Sequence, residues 1–286
     1  MKKIVIFGVG LIGGSVALAL KKAGSTAQIT GVGRSTESLQ TALHLGVINA
    51  ASTNLAQAVS DADLILIATP VAQTPVILSA IKPHLGTDTI ITDAGSTKSD
   101  VLSYASDVLA ERASQFVGGH PIAGAEKSGV TAANADLFRS KNVILTPTTK
   151  NSAEAISRVK TLWQLCGANV SEMTAETHDS VFAAVSHLPH LLAFALVDDI
   201  ASRPNAEQLF SFAASGFRDF TRIAGSHPEM WRDISLANKT ALLAELTAYQ
   251  AELVQLKKLL EAEDGAGLQA LFERASTARN DWAKRQ

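Results

Sequence analysis

Cysteine is nearly absent from this chain, and other shortages exclude further classes of protein. Cys166 stands alone, so no intramolecular disulfide can form and a reducing compartment is expected. Neither sign of charge dominates: 25 basic and 27 acidic residues leave a net charge of −2, which provides no footprint for nucleic acid or an anionic membrane. The sequence also lacks a recognisable spacing of His, Cys and carboxylate ligands, so no metal site is expected.

Long hydrophobic runs are scarce as well. The most apolar long segment, residues 181–197, contains His187, Pro189 and His190 and falls short of a typical membrane span, so we expect a buried helix there. Two lysines followed by apolar residues superficially resemble a signal peptide at the N-terminus, but no convincing cleavage site follows. We therefore expect a cytoplasmic protein with no membrane partner.

A glycine-rich loop near the N-terminus provides the first positive signal. Gly8, Gly10 and Gly13 form G-x-G-x-x-G between a β-branched apolar strand at residues 4–7 and a small-residue helix at 15–22. In that context the first glycine permits a tight turn, the second lets the backbone approach a pyrophosphate, and the third lets helix and strand pack closely. The loop, including Leu11 and Ile12, is predicted to bind a dinucleotide.

Strands alternate with helices through the first half of the chain, which predicts an α/β domain with a Rossmann-type parallel sheet at residues 1–173. The predicted strands are residues 4–7, 28–33, 64–68, 89–92, 116–118, 143–145 and one near Val170. Residues 174–286 show helical periodicity only. A stripe with spacings of three and four runs through Leu242, Leu246, Tyr249, Leu253, Leu256 and Leu260. It fits either a helix packed in its own domain or a dimer seam.

The residues at the end of the second predicted strand help to distinguish an NAD site from an NADP site. An NAD site usually carries a carboxylate there to bind the ribose 2′-hydroxyl, but this chain has Arg34 followed by Ser35. A guanidinium is suited to a 2′-phosphate, so NADP is preferred and NAD is the alternative. Thr69 and Pro70, directly after the strand at 64–68, complete the expected cofactor site.

Four polar stretches hold more glycine and polar residues than packing requires: 92–98, 118–129, 186–190 and 216–232. His120 follows a strand inside a Gly/Pro loop, where an imidazole suits proton transfer at neutral pH. His187 and His190 lie in the apolar helix, where a structural role or one substrate contact is the cautious interpretation.

Five motifs, taken in order, resemble the prephenate/arogenate dehydrogenase family of tyrosine biosynthesis over nearly the whole chain. They are Gly8-Val-Gly-Leu-Ile-Gly-Gly, Asp93-Ala-Gly-Ser-Thr-Lys, Gly119-His-Pro-Ile-Ala-Gly, Ser186-His-Leu-Pro-His and Gly216-Phe-Arg-Asp-Phe-Thr-Arg. The resemblance implies that the second domain is an all-helical dimerisation domain, giving a homodimer. It also implies oxidative decarboxylation of prephenate or arogenate.

The resemblance further assigns roles to single residues. His120 matches the catalytic histidine that takes the proton of the 4-hydroxyl, and Ser96 the serine that orients histidine and hydroxyl. Arg222 is expected to hold a substrate carboxylate, and Arg218 is the second candidate for this role. The remaining expected substrate residues are His187, Glu126, Trp231 and Asp219. Asp219 lies three residues before Arg222 and is expected to hold its side chain.

Two other functions fit parts of the sequence. A β-hydroxyacid dehydrogenase would share the architecture, but it usually has a lysine on the first long helix of the second domain. Residues 174–204 contain no lysine. A non-catalytic NADP-binding sensor would keep the glycines without needing His120, Ser96 and Arg222.

Overall fold

The computed structural model describes residues 1–125 and 127–285 of the chain. Eight strands form one sheet in the order β3-β2-β1-β4-β5-β6-β7-β8, and every neighbouring pair is parallel except β6 and β7. The strands are Lys3–Phe7 (β1), Gln28–Val32 (β2), Ala50–Ala51 (β3), Leu64–Ile67 (β4), Ile90–Asp93 (β5), Phe116–Pro121 (β6), Asn142–Thr146 (β7) and Asn169–Glu172 (β8).

The central strands are apolar because both faces of the sheet are covered. Ile4 and Ile6 of β1 pack into one hydrophobic core, whereas Val5 and Phe7 point into the core on the opposite face. Successive side chains of a strand point to opposite faces, so a continuous apolar run is needed when helices cover both.

Helices flank the sheet and make up the whole chain after it. They are Leu11–Lys22 (α1), Thr36–His44 (α2), Leu55–Val59 (α3), Thr74–Ile81 (α4), Ser99–Leu109 (α5), Ala153–Leu165 (α6), Ala175–Phe182 (α7), Leu188–Ala201 (α8), Ala206–Ser211 (α9), Ser215–Thr221 (α10), Pro228–Ala237 (α11), Lys239–Glu261 (α12) and Gly265–Ala283 (α13). The predicted α/β class, a Rossmann-type sheet followed by helices, is confirmed.

The sheet differs from the prediction on its β6 side. β6 runs on to Pro121 and pairs antiparallel with β7, so His120 lies within a strand opposite Ile144 and not in a loop. The Gly/Pro composition suggested a turn, but the glycines serve close packing. A Cβ on Gly118 would clash with Thr146 Oγ1. β3 and α3 were not predicted, because a two-residue strand and a one-turn helix carry little periodicity.

A π-helical segment, Ala183–His187, joins α7 to α8. The continuous helix Ala175–Ala201 is 27 residues long, and by length and composition alone it could cross a membrane. The apolar run at residues 181–197 is shorter than a typical span, but the helix that contains it extends beyond the run at both ends. Only 28% of its most apolar window is buried within the chain.

The chain folds into two compact units, Met1–Lys239 and Thr240–Gln286. The first unit contains the sheet and α1–α11. The second contains most of α12 and all of α13, whose N-terminus is capped by Asp264 accepting a hydrogen bond from the Gly267 N–H at 2.9 Å. The predicted domain division between residues 173 and 174 stays a prediction.

Candidate active site

A cavity of about 570 Å³ opens at the carboxyl ends of β1, β2 and β4, and we call it the nucleotide cavity. Six of the predicted cofactor residues line it: Gly8, Gly10, Arg34, Ser35, Thr69 and Pro70. The other three, Leu11, Ile12 and Gly13, lie in the first turn of α1 outside the lining. Apolar side chains from α4, including Val76 and Ile77, cover another wall.

The three glycines of the loop differ in what surrounds them. Gly8 has φ +87°, and a Cβ on it would lie 2.6 Å from the Ala68 carbonyl oxygen. A Cβ on Gly13 would clash with the Gly8 carbonyl oxygen, so the close approach of α1 to β1 requires glycine there. A Cβ on Gly10 would meet no described atom within 4 Å, because it would project into open space beside the N-terminus of α1.

Arg34 and Ser35 lie between β2 and α2, at the mouth of the nucleotide cavity. The Ser35 hydroxyl caps α2 by accepting a hydrogen bond from the Ser38 N–H at 3.1 Å. Its own proton is still available to a ligand. An exposed guanidinium and a hydroxyl therefore border the cavity where β2 ends, which fits a phosphate or a ribose hydroxyl.

Two buried carboxylates hold the loop that carries Ser96. Asp93, at the end of β5, accepts hydrogen bonds from Gly95 N at 2.8 Å and from Gly119 N at 2.9 Å, and it pairs with the fully buried Lys98 ammonium. Asp179, in α7, accepts from Lys98 N and Ser99 N, both at 2.8 Å. The loop is thus fixed on both sides, and Asp93 also ties it to the residue preceding His120.

Asp179 also begins a series of hydrogen bonds that ends at His120. His178 Nδ1 lies 2.8 Å from Asp179 Oδ1, and His178 Nε2 lies 2.8 Å from His120 Nδ1. Since a carboxylate only accepts, His178 carries its proton on Nδ1 and accepts at Nε2. His120 must then donate from Nδ1. Its Nε2 is left with a lone pair, which is what a general base requires.

The electrostatics of the series favour a neutral His120. Desolvation, followed by electrostatic interactions with His178, Lys98 and His187, lowers the pKa of His120 well below 6.5. Desolvation also lowers the pKa of His178, against the opposing effect of Asp179. The carboxyl of Asp179 has a pKa of about 2, because hydrogen bonds from His178 and Ser99 outweigh its own desolvation. At neutral pH both imidazoles are therefore uncharged and Asp179 is ionised.

A second group of aromatic side chains lies beside this series. The His187 ring lies 6.1 Å from that of Trp231, and Trp231 stacks on His190 with ring centroids 3.6 Å apart. His187 is almost fully buried, and its potential reaches His120. The positive charge of Arg222 contributes to the lowered pKa of His190. The structure thus places Trp231 beside both His187 and His190, with Arg222 close enough to act on His190.

Other predicted site residues are placed differently. Arg218 and Asp219 are exposed on α10, and within the described part of the chain neither forms an ion pair, so Asp219 does not hold the Arg222 side chain. No hydrogen bond joins Ser96 to His120 among the described residues. Among the described residues, the partner of the His120 Nδ1 atom is His178, and the role expected of Ser96 stays a prediction. Glu126 lies outside the described residues.

Sequence reasoning missed three members of the site: His178, Asp179 and Asn238. One signal could have identified Asp179. It lies on the face of α7 that also carries Ala175 and Phe182, which is the buried face, and a carboxylate there needs several hydrogen-bond donors. We call the set His120, His178, Asp179, His187 and Asn238 the histidine network.

Comparison with known proteins gives a consistent result over both parts of the chain. Residues 16–172 match the family described as "Prephenate dehydrogenase, nucleotide-binding domain", and residues 174–274 match "Prephenate dehydrogenase, dimerization domain". The prephenate dehydrogenase of Bacillus subtilis is 43% identical over 99% of this chain and 76% of its own length. The cyclohexadienyl dehydrogenase of Zymomonas mobilis is 35% identical over 97% of this chain and 95% of its own.

Solved structures agree with these matches. Prephenate dehydrogenase from Aquifex aeolicus, in complex with hydroxyphenyl propionate and NAD+, has a TM-score of 0.92 at 37% identity, with 98% of each chain covered. Synechocystis arogenate dehydrogenase has a TM-score of 0.83 at 29% identity, covering 98% of this chain and 99% of the other. From these matches and from its sheet, nucleotide cavity and histidine network, we conclude that the chain belongs to the prephenate dehydrogenase family.

Proposed function

We propose that the chain catalyses NAD(P)-dependent oxidative decarboxylation of prephenate, arogenate or both, giving 4-hydroxyphenylpyruvate or tyrosine. The observation that carries the proposal is the series Asp179–His178–His120, which leaves an unprotonated Nε2 on His120. Membership of the family supports the choice of substrate, since relatives that cover most of this chain are named for prephenate or cyclohexadienyl compounds. A β-hydroxyacid dehydrogenase or a non-catalytic sensor is not favoured.

In the proposed step, His120 Nε2 accepts the proton of the substrate 4-hydroxyl while the carbon that bears this hydroxyl is oxidised. A nicotinamide bound in the site would supply the hydride acceptor. The ring carboxylate leaves as CO₂, the electrons of the broken C–C bond complete the aromatic ring, and the resulting phenolate oxygen takes the proton back from His120. His178 and ionised Asp179 stabilise the positive charge that His120 acquires. A positioned base of this kind contributes about 10²–10⁴-fold in rate.

The remaining site residues are proposed to bind and orient the substrate. Arg222 offers a planar fork of donors for a carboxylate, and Arg218 is proposed to assist. Ser96 is half-buried in the loop held by Asp93 and Asp179, and it is assigned to the substrate hydroxyl. The further substrate residues proposed are His187, Trp231, Asp219 and Glu126.

A pyridine nucleotide fits the nucleotide cavity, because Gly10 leaves open space at the N-terminus of α1 for a pyrophosphate. We propose that NADP is preferred over NAD. Arg34 and Ser35 support this choice, since a guanidinium and a hydroxyl suit a 2′-phosphate better than a ribose hydroxyl. Replacing Arg34 by Ala is expected to weaken NADP binding roughly 10- to 100-fold and to leave NAD binding nearly unchanged. Equal losses for both nucleotides would contradict the preference.

The domain division and the assembly are also proposals. We assign residues 1–173 to nucleotide binding and 174–286 to a helical dimerisation domain that forms a cytoplasmic homodimer. The description of the matching family model supports the dimer. So do large apolar side chains left exposed in this part of the chain, among them Val185 at 66% and Phe212 at 81%. Light scattering should give twice the 30.0 kDa of one chain.

The decisive experiment measures kcat/KM for prephenate and for arogenate, each with NADP and with NAD. Reduced nucleotide and CO₂ should form together in equal amounts with at least one substrate. If neither substrate is turned over by the intact protein, the proposed function is wrong. A β-hydroxyacid substrate that is turned over in their place would favour the alternative dehydrogenase.

A further inference from the structure

His187 is held by one of its ring nitrogens only. Its side chain is 1% exposed, and Nδ1 lies 3.0 Å from the Nδ2 atom of Asn238. Nε2 is buried and has no hydrogen-bond partner among the described residues. The Ser96 carbonyl lies near enough to raise the His187 pKa, although it makes no hydrogen bond of good geometry. Nε2 is thus a buried polar atom without a hydrogen bond of good geometry, beside the loop that carries Ser96.

The hydrogen bonds of Asn238 decide which atom of its amide faces His187. Asn238 Nδ2 lies 2.8 Å from the backbone oxygen of Asp179. Because a carbonyl oxygen only accepts, the atom facing it must be the amide nitrogen and not Oδ1. The same nitrogen has a second proton, and this one points to His187 Nδ1. His187 Nδ1 therefore accepts.

The protonation state of His187 follows from these contacts. Desolvation lowers its pKa to about 4, with smaller opposing effects from Asp179 and from the Ser96 carbonyl, and with His178 and His190 acting in the same direction as burial. The ring is neutral at pH 7 and holds one proton. With Nδ1 acting as acceptor, that proton lies on Nε2.

We propose that Asn238 is a positioning residue that fixes His187 as an Nε2–H donor, and that this N–H binds an accepting oxygen of the substrate. Two neutral histidines of one site thus carry their proton on different ring nitrogens, His120 on Nδ1 and His187 on Nε2. His120 presents a lone pair that can take a proton, whereas His187 presents a proton that can be donated in a hydrogen bond. Asp179 underlies both arrangements, since its side chain holds His178 and its backbone oxygen fixes the Asn238 amide. The identity of the substrate rests on the proposed function, but the tautomer does not.

Nitrogen NMR of the protein labelled at its seven histidines tests the tautomer directly. In the wild-type protein at pH 7, the His187 signals, identified by their loss in His187→Gln, should show a protonated Nε2 and an unprotonated Nδ1. Asn238→Asp cannot donate to Nδ1 and instead offers an accepting carboxylate, so the proton should move from Nε2 to Nδ1. The exposed Asn280→Asp is the matched control and should change neither signal. A wild-type His187 protonated at Nδ1 would overturn the proposal without use of any Asn238 variant.

Steady-state kinetics test the substrate contact. Asn238→Asp and His187→Gln should each raise the substrate KM about 10-fold and leave the nicotinamide-nucleotide KM unchanged. In the double variant the increases should not multiply, because both changes remove the same N–H. If the two KM increases multiply in the double variant, Asn238 does not act through His187. If the wild-type protein turns over neither substrate, the proposed function fails while the NMR result still decides the tautomer.

Discussion

The nucleotide cavity and the histidine network lie in the same compact unit, but they are built in different ways. The cavity is shaped by backbone and by apolar side chains, and Arg34 is the one charged side chain among the described residues that line it. The histidine network consists of buried polar side chains whose hydrogen bonds determine each protonation state. The first should respond mainly to changes of shape, and the second to changes of charge and proton position.

The largest expected effect is the loss of activity on replacing His120, which should leave nucleotide binding unchanged. His120→Asn removes the Nε2 base and should lower kcat by about 10²–10⁴-fold. Nucleotide affinity, measured by fluorescence titration, should stay at the wild-type value because the cavity is untouched. The exposed His84→Asn is the matched control and should leave both quantities unchanged. Near wild-type turnover in His120→Asn would refute the proposed mechanism.

The next effect concerns Asp179, which is not among the described residues that line the cavity. Asp179→Asn loses charge-assisted hydrogen bonds to His178 and to the loop that carries Ser96, so we expect kcat to fall roughly 10- to 100-fold. Asp281→Asn, on the surface of α13, serves as the control. A lowered nucleotide affinity with unchanged kcat would show that Asp179 serves the cavity and not His120.

The two regions also differ in how far the sequence predicts them. The cavity could be predicted because Gly8, Gly10 and Gly13 lie close together in sequence, and local spacing reports a local turn. The network joins β6, α7, the π-helical segment and the residue that follows α11, so no spacing reveals it. His120 and His187 were identified from their motifs, but the partners that fix their protons, His178 and Asn238, carry no motif of their own. The antiparallel β6–β7 pair was missed for a related reason, since glycines that permit close packing resemble a turn.

Two glycine substitutions sharpen the argument that the cavity depends on shape. Gly13→Ala forces a Cβ against the Gly8 carbonyl oxygen and should cost about 1–3 kcal/mol in the free energy of unfolding, measured with urea. Gly10→Ala meets no described atom within 4 Å, so stability should be unchanged while nucleotide affinity falls. Its kcat at saturating nucleotide should stay near the wild-type value. Equal stability of both variants would contradict the assigned roles.

The smallest effect is a pH dependence of stability, to which the network contributes through His187. His187 has a pKa of about 4 in the folded protein and an ordinary value of 6.5 when unfolded, so between these values the unfolded state binds more protons. Stability must then fall as the pH falls, by about 1 kcal/mol from pH 6 to pH 5 for this one group. Asp179, whose folded pKa is about 2, adds its own loss only at lower pH, once an ordinary aspartate begins to take up protons.

Urea unfolding at pH 7, 6 and 5 tests this dependence. The free energy of unfolding should fall less steeply with falling pH for His187→Gln than for the wild-type protein. The exposed His227→Gln should keep the wild-type slope. Parallel slopes for the wild-type protein and His187→Gln would mean that His187 is not held neutral, and the contrast between a cavity governed by shape and a network governed by protons would lose its physical basis.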